Sequence, residues 1–171
     1  MSQIRTNSIV PAGGIPAGAS GGGIIQCVST TKTDTFTSSS TSWVDITGLS
    51  VSITPRSSSN KILVNFNVSG WIQWDGHVRL DRNGTTIAIG DAAGSRQRGT
   101  FEFPQTNRNN EQSTNSMYFL DSPGSTSSLT YKVQCQSTDS QLLFVNRTES
   151  DADNLYDSRT ISTIIVMEVS G

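Results

Sequence analysis

Hydrophobic and polar positions follow two different rules along this chain, with the change near Gly23. From Ile24 onward apolar residues recur at alternate positions in short runs, the period of a strand with one buried face. Ile62, Val64, Phe66 and Val68 fall on one side of Lys61–Trp71, with Leu63, Asn65, Asn67 and Ser69 on the other, which predicts a strand with one core face and one mostly wet face. Leu49, Val51 and Ile53 alternate with Ser50, Ser52 and Thr54. Leu129, Tyr131, Val133 and Cys135 alternate with Thr130, Lys132, Gln134 and Gln136. Near the C-terminus Ile161, Thr163, Ile165 and Met167 share one side. Ile164 and Val166 on the other predict a strand whose middle is covered on both faces.

Turn chemistry punctuates these runs. Asn83-Gly84 lies between two strand-like segments and predicts a tight hairpin, because a type I′ turn needs positive φ at both central residues. After it, Ile87 and Ile89 are expected on one face of the returning strand. Gly48 is read as a turn separating Trp43–Ile46 from Leu49–Ile53, and Asp139-Ser140 as a second hairpin turn leading into Gln141–Asn146. Thr35–Ser42, a Ser/Thr run, is read as a loop or frayed edge. Eight to ten strands with no convincing helix predict an all-β fold: an antiparallel β-sandwich, jelly-roll-like, over 24–171.

Residues 1–23 read MSQIRTNSIVPAGGIPAGASGGG. Pro11 and Pro16 forbid a continuous helix, and Gly21–Gly23 make a flexible joint. Ile4, Ile9, Val10 and Ile15 are spaced apolar points that a solvated tail would not need. With Pro11 and Pro16 they mark an extended anchoring arm that docks on a partner or on copies of the chain.

Composition narrows the function classes. Hydrophobic residues are 33% and charged residues 15% of 171 positions, while Ser and Thr exceed a quarter, so hydroxyls and amides carry solubility. The net charge is −2 with both signs interspersed and no Lys/Arg stripe, which argues against nucleic acid as a partner. No apolar run reaches the roughly 18–20 residues of a membrane span, and no secretion signal is seen, so no membrane insertion and cytoplasmic synthesis are expected. Cys27 and Cys135 are read as buried free thiols, with a disulfide as the alternative.

Catalytic patterns are nearly absent. His77 is the single histidine, so a His cluster for zinc is excluded, and there is no nucleophile elbow or phosphate loop. Glu149, Asp151, Asp153 and Asp157 crowd one loop and offer oxygen ligands for Ca²⁺, but the EF-hand spacing fails and Arg147 and Arg159 flank them; a solvated loop is the preferred reading. Glu102 and Glu111 add carboxylates without a spacing that selects a hydrolytic pair. No enzyme activity, cofactor or metal is expected. The surface candidate is Trp71-Ile72-Gln73-Trp74-Asp75-Gly76-His77, where Trp71, Trp74 and His77 could stack on and bond to sugars; the alternative is that the tryptophans plug the core or a subunit interface. Asn67, Asn83 and Asn146 head glycosylation-like triplets read as products of an Asn/Ser/Thr-rich chain.

Several segments also carry a resemblance. These are Ile25-Gln26-Cys27-Val28-Ser29-Thr30-Thr31-Lys32-Thr33-Asp34-Thr35, Trp43 through Pro55, Ser59 through Val64, Ile89 through Arg96, Phe119 through Pro123 and Arg159 through Ile164. In that order, over nearly all of 24–169, they resemble the β-bodies of tailed-bacteriophage virion structural proteins of the fibre or appendage type, similar to cyanophage-like tail fibres. The arm resembles the attachment leader of such proteins. The resemblance implies a homotrimer located in the virion, assembled in the host cytoplasm and joined through its arm to other virion proteins. It departs from long fibres, having no shaft, heptad segment or triple β-helix repeat. Two readings stay open: a short tail or baseplate fibre whose loops 71–77, 104–115 and 147–158 touch a host surface glycan or protein, and a capsid cement or head-decoration protein with no receptor.

Overall fold

The computed structural model describes residues 23–171. The anchoring-arm residues Ile4, Ile9, Val10, Pro11, Ile15 and Pro16 lie outside the described residues. Eleven strands follow in chain order: β1 (Ile24–Lys32), β2 (Phe36–Ser38), β3 (Val44–Ile53), β4 (Lys61–Ile72), β5 (Gly76–Arg82), β6 (Thr85–Ile87), β7 (Phe101–Phe103), β8 (Ser113–Asp121), β9 (Leu129–Ser137), β10 (Leu143–Val145) and β11 (Ser162–Val169). No helix occurs among the described residues.

The strands form two antiparallel sheets, a jelly-roll-like sandwich. Sheet A runs β1-β11-β4-β10-β2, with β8 on the other side of β4; sheet B runs β3-β9-β5-β6, with β7 also beside β5. Strands β11 and β10 share one flank of β4 in tandem, at Lys61–Asn67 and Gly70–Ile72. The chain crosses between sheets at β2/β3, β3/β4, β4/β5, β7/β8, β8/β9 and β9/β10, the wide connections of a sandwich rather than a meander.

Period-2 patterning sets the core. Ile62, Val64, Phe66, Val68 and Ile72 of β4 meet Val78 and Leu80 of β5, Leu129, Tyr131, Val133 and Cys135 of β9, and Ile164 and Val166 of β11. Each such side chain contributes about 1.5–3 kcal/mol when removed from water. The core side of β11 is thus the Ile164–Val166 side, and Thr163, Ile165 and Met167 form the half-buried outer side.

Several sequence expectations need correction. Gly48 does not separate two strands: β3 is continuous, with a bulge between Asp45 and Ser50 and Gly48 at φ 84°. The extra residues reset the parity, so that Ile46 and Leu49, three apart, both reach the core. Asp139-Ser140 turns the chain, with Ser140 at φ 58°, but does not close a hairpin, because β9 belongs to sheet B and β10 to sheet A. The Ser/Thr run Thr35–Ser42 is an edge as expected, its three-residue strand β2 pairing with β10 at the end of sheet A. Asn83-Gly84 does form the β5–β6 hairpin, with φ of 50° and 85°. The returning strand stops at Ile87, since Ala88 adopts φ 54°, so Ile87 and Ile89 do not share a strand face.

Cys135 is buried and free, and Cys27 is free but exposed on β1 rather than buried. Asn146 is fully buried: its amide donates to the carbonyls of Lys32 and Asp34 at 2.9 Å each and accepts from Ser162 at 2.7 Å. Its side chain is therefore a structural tie and not a glycosylation acceptor in the folded chain.

Candidate functional site

The two outer faces of the sandwich differ in chemistry. On sheet B several outward residues of β3, β9 and β5 bond to one another across strands. Lys132 donates to Asp45 at 2.7 Å, Gln134 donates to the same carboxylate at 2.7 Å, and Arg79 Nε donates to Gln134 Oε1 at 2.8 Å. The Lys132 hydrogen bond, reinforced by Gln134, holds the Asp45 carboxyl below its ordinary pKa. Ser52 and Thr130 bond at 2.8 Å beside this chain.

Sheet A presents the opposite. Its outward rows read Cys27–Met167–Leu63–Leu120, Ser29–Ile165–Asn65–Tyr118 and Thr31–Thr163–Asn67–Ser116. None of these residues is charged. Tyr118 is 69% and Leu120 49% exposed, and Leu63, Ile165 and Met167 are half-buried.

The sandwich is also polar end to end. Ile24, where the described chain joins the preceding residues, pairs with Val169, which pairs with Lys61. The opposite end of β4 leads into 71–77. There Trp71 Nε1 donates to the Arg108 carbonyl at 2.7 Å, Ser150 N to the Asn109 carbonyl at 3.0 Å, and Gln112 Nε2 to the Ser158 carbonyl at 2.6 Å. The segments 71–77, 104–115 and 147–158 are thereby tied into one surface, at the far end of a strand that spans roughly 35 Å. Trp74, Leu155 and Tyr156 are exposed on these segments.

Trp71, Trp74 and His77 do not form a single site. Trp71 is an odd-numbered residue of β4 and so lies on the outer face of sheet A. The 104–112 loop and Phe144, whose ring centroid is 5.8 Å away, leave it 3% exposed. Trp74 is half exposed in the β4–β5 turn. His77 is half-buried on the outer face of sheet B, opposite Glu102 and Gln136. In the acidic loop Asp151 is bound by Arg159 at 2.5 and 2.6 Å, and Asp157 accepts from Thr148, Ser150 and Asn154. Those hydroxyl bonds, Ser150 first, hold Asp157 below its ordinary pKa. Two of the four carboxylates offered to Ca²⁺ by spacing, Asp151 and Asp157, are thus engaged by protein donors, and no metal-ligand cluster occurs among the described residues.

A further concavity lies on the flank of sheet B. An open cleft of about 700 Å³ is lined by Trp43, Arg79, Thr86, Arg96, Gln97 and Arg98, among others. Arg79 projects from the outer face of β5, and its guanidinium carbon lies 4.3 Å from the Trp43 ring centroid. Partial burial pulls its pKa below the ordinary arginine value, against an upward pull from Asp81. The loop bearing the other two arginines is closed on itself. Gly90 N donates to the Gly99 carbonyl at 3.4 Å, and Thr100 N returns the chain to the Val78 carbonyl at 2.7 Å. Arg96 and Arg98 each anchor one nitrogen to a backbone carbonyl of that loop, Ala93 at 3.1 Å and Gly90 at 2.7 Å.

Sequence reading missed this cleft because its parts come from five separated segments. The one local sign is Arg96-Gln97-Arg98, two cations with no carboxylate between Asp91 and Glu102. No protein-family model matches the sequence, and no curated protein matches it.

Proposed function

We propose that this chain is a structural protein of a tailed-phage virion: a short homotrimeric tail or baseplate fibre without enzymatic activity. It anchors through residues 1–23 and presents the sandwich for host-surface attachment. The observation that carries this reading is the end-to-end polarity. The arm joins at Ile24, and the three cross-tied loop segments, with exposed Trp74, Leu155 and Tyr156, lie at the other end. An appendage needs that separation of anchor from contact surface.

The outer face of sheet A supports the trimer. Copies of a chain with net charge −2 repel one another, and the three uncharged rows let them meet without placing like charges in contact, with Lys61 at the margin of the face. Leu63, Leu120, Tyr118, Ile165 and Met167 supply the apolar centre such an interface needs. The cross-strand-bonded face of sheet B then points outward.

Deleting residues 1–23 tests the anchoring role. The expected product is a soluble, folded trimer that still binds host cells and no longer joins virions. A product that is monomeric or unfolded contradicts it. So does a full-length chain that sits on the capsid and binds no cell, which is the outcome a head-decoration protein would give.

A further inference from the structure

We propose that the Trp43–Arg79 cleft is a binding site for a saccharide bearing carboxylate or phosphate groups. This deepens the attachment reading and rests on it for the source of the ligand, a host-surface polymer.

The first argument is electrostatic. Lys32, Arg82, Arg108, Lys132, Arg147 and Arg159 all have a carboxylate partner within the described residues. Arg56, Lys61, Arg79, Arg96 and Arg98 have none there, and three of these five line this one cleft. Unpaired guanidinium groups gathered in one concavity, in a chain of net charge −2, form a local positive field; Asp81 acts on Arg79 through space but forms no ion pair with it.

The second argument is preorganisation. Arg79 is stacked on Trp43 and fixed through Nε by Gln134, which is itself held by Asp45. Its two terminal nitrogens have no acceptor among the described residues. Arg96 and Arg98 are likewise held at one nitrogen, leaving further N–H groups for a ligand. Planar forks fixed in this way match carboxylate and phosphate oxygens bidentately.

The third argument is the rest of the lining. Gln97 and Thr86 offer an amide and a hydroxyl, and Trp43 an aromatic surface, the set that bonds and packs on sugar rings. The volume falls within the roughly 300–1,000 Å³ of small-ligand sites. A nucleic-acid strand is the poorer fit, because a groove that tracks a phosphate backbone needs a longer run of cations than three.

The test uses the full chain, titrated by calorimetry and by tryptophan fluorescence with oligogalacturonate, phosphomannose, maltotriose and oligodeoxythymidylate. One or both acidic sugars are expected to bind, which identifies the preferred oxyanion, while maltotriose does not. Arg96 and Arg98 are exposed and form no ion pair, so Arg96→Ala and Arg98→Ala leave the fold intact, checked by the melting temperature. Each weakens acidic-sugar binding about tenfold or more. Trp43→Phe removes the fluorescence change while calorimetric binding persists. Failure of both acidic sugars, equal binding of maltotriose, tighter binding of the oligonucleotide, or unchanged affinity in both arginine variants overturns the assignment. If the chain binds host cells but none of these sugars, the cleft assignment falls and the attachment reading stands. If the cleft binds acidic sugars and the chain binds no cell, the reverse holds.

Discussion

The Tyr131 hydroxyl donates a 2.7 Å hydrogen bond to Asp121 Oδ2, joining β9 of sheet B to the end of β8 in sheet A. Arg82 from β5 closes on both oxygens of the same carboxylate at 2.6 Å. Burial, and then the bond to Asp121, push the Tyr131 pKa well up, so the phenol stays a donor at any ordinary pH. Tyr131→Phe keeps the ring and leaves Asp121 with Arg82, and should cost about 1 kcal/mol. Asp121→Ala strands a buried hydroxyl and a partly buried guanidinium together, and should cost about 3 kcal/mol or more. Urea unfolding of the two variants measures the difference; equal losses would show that the carboxylate does not bind the sheets together.

Gly70, near the C-terminal end of β4, is a glycine because the backbone of β10 lies against it. A Cβ there would sit 2.5 Å from the Phe144 carbonyl oxygen and 3.1 Å from Phe103 Cζ. Gly70→Ala should therefore force β10 off β4 and cost about 1–3 kcal/mol. Gly90→Ala, where the added methyl meets nothing within 4 Å, is the control and should be near neutral. Melting temperatures of both variants check this.

Glu168 is a fully buried carboxylate with no cation partner among the described residues. Burial pushes its pKa up, but donors from Asn60 and Gln26, at 2.6 Å each, and the backbone N–H groups of Arg56 and Ser57 outweigh burial, and the net shift is downward. A depressed folded pKa contributes stability above the unfolded value of 4.5, lost as pH falls through the folded pKa. The wild type should lose melting temperature more steeply than Glu168→Gln over about pH 5 to 3, and be the more stable of the two at pH 7. Parallel curves would exclude Glu168 as an acid-sensitive tie.

The two thiols should behave oppositely. Burial pushes the Cys135 thiol up to about 12, so it should resist maleimide until the chain unfolds. Cys27 is exposed in the single chain and lies on the proposed trimer face. It should label quickly in a Leu120→Lys monomer and slowly in the assembled wild type. Equal rates would place the interface away from β1.

The strands were legible wherever the apolar period ran unbroken, as at Ile62–Val68, and where turn chemistry was unambiguous, as at Asn83-Gly84. Reading failed where backbone geometry altered the parity. The Gly48 bulge puts Ile46 and Leu49 on one side, and Ala88 ends β6 early. Trp71 carried the information in its own position: an odd residue of a strand whose even residues are core belongs outside, and only the loop that covers it was invisible. The Trp43–Arg79 cleft was not legible, because Arg79 and Trp43 meet through strand pairing and the loop that brings Arg96 and Arg98 depends on closure between Gly90 and Gly99.

The central claim is that copies of this chain assemble through the three uncharged rows on the outer face of sheet A. Light scattering on the purified chain measures it directly, run beside Leu120→Lys and Tyr118→Lys variants. The account predicts a mass three times the 18.3 kDa of the chain for the wild type and single-chain mass, with the fold retained, for both variants. A wild-type monomer, or variants that remain trimeric, would contradict it.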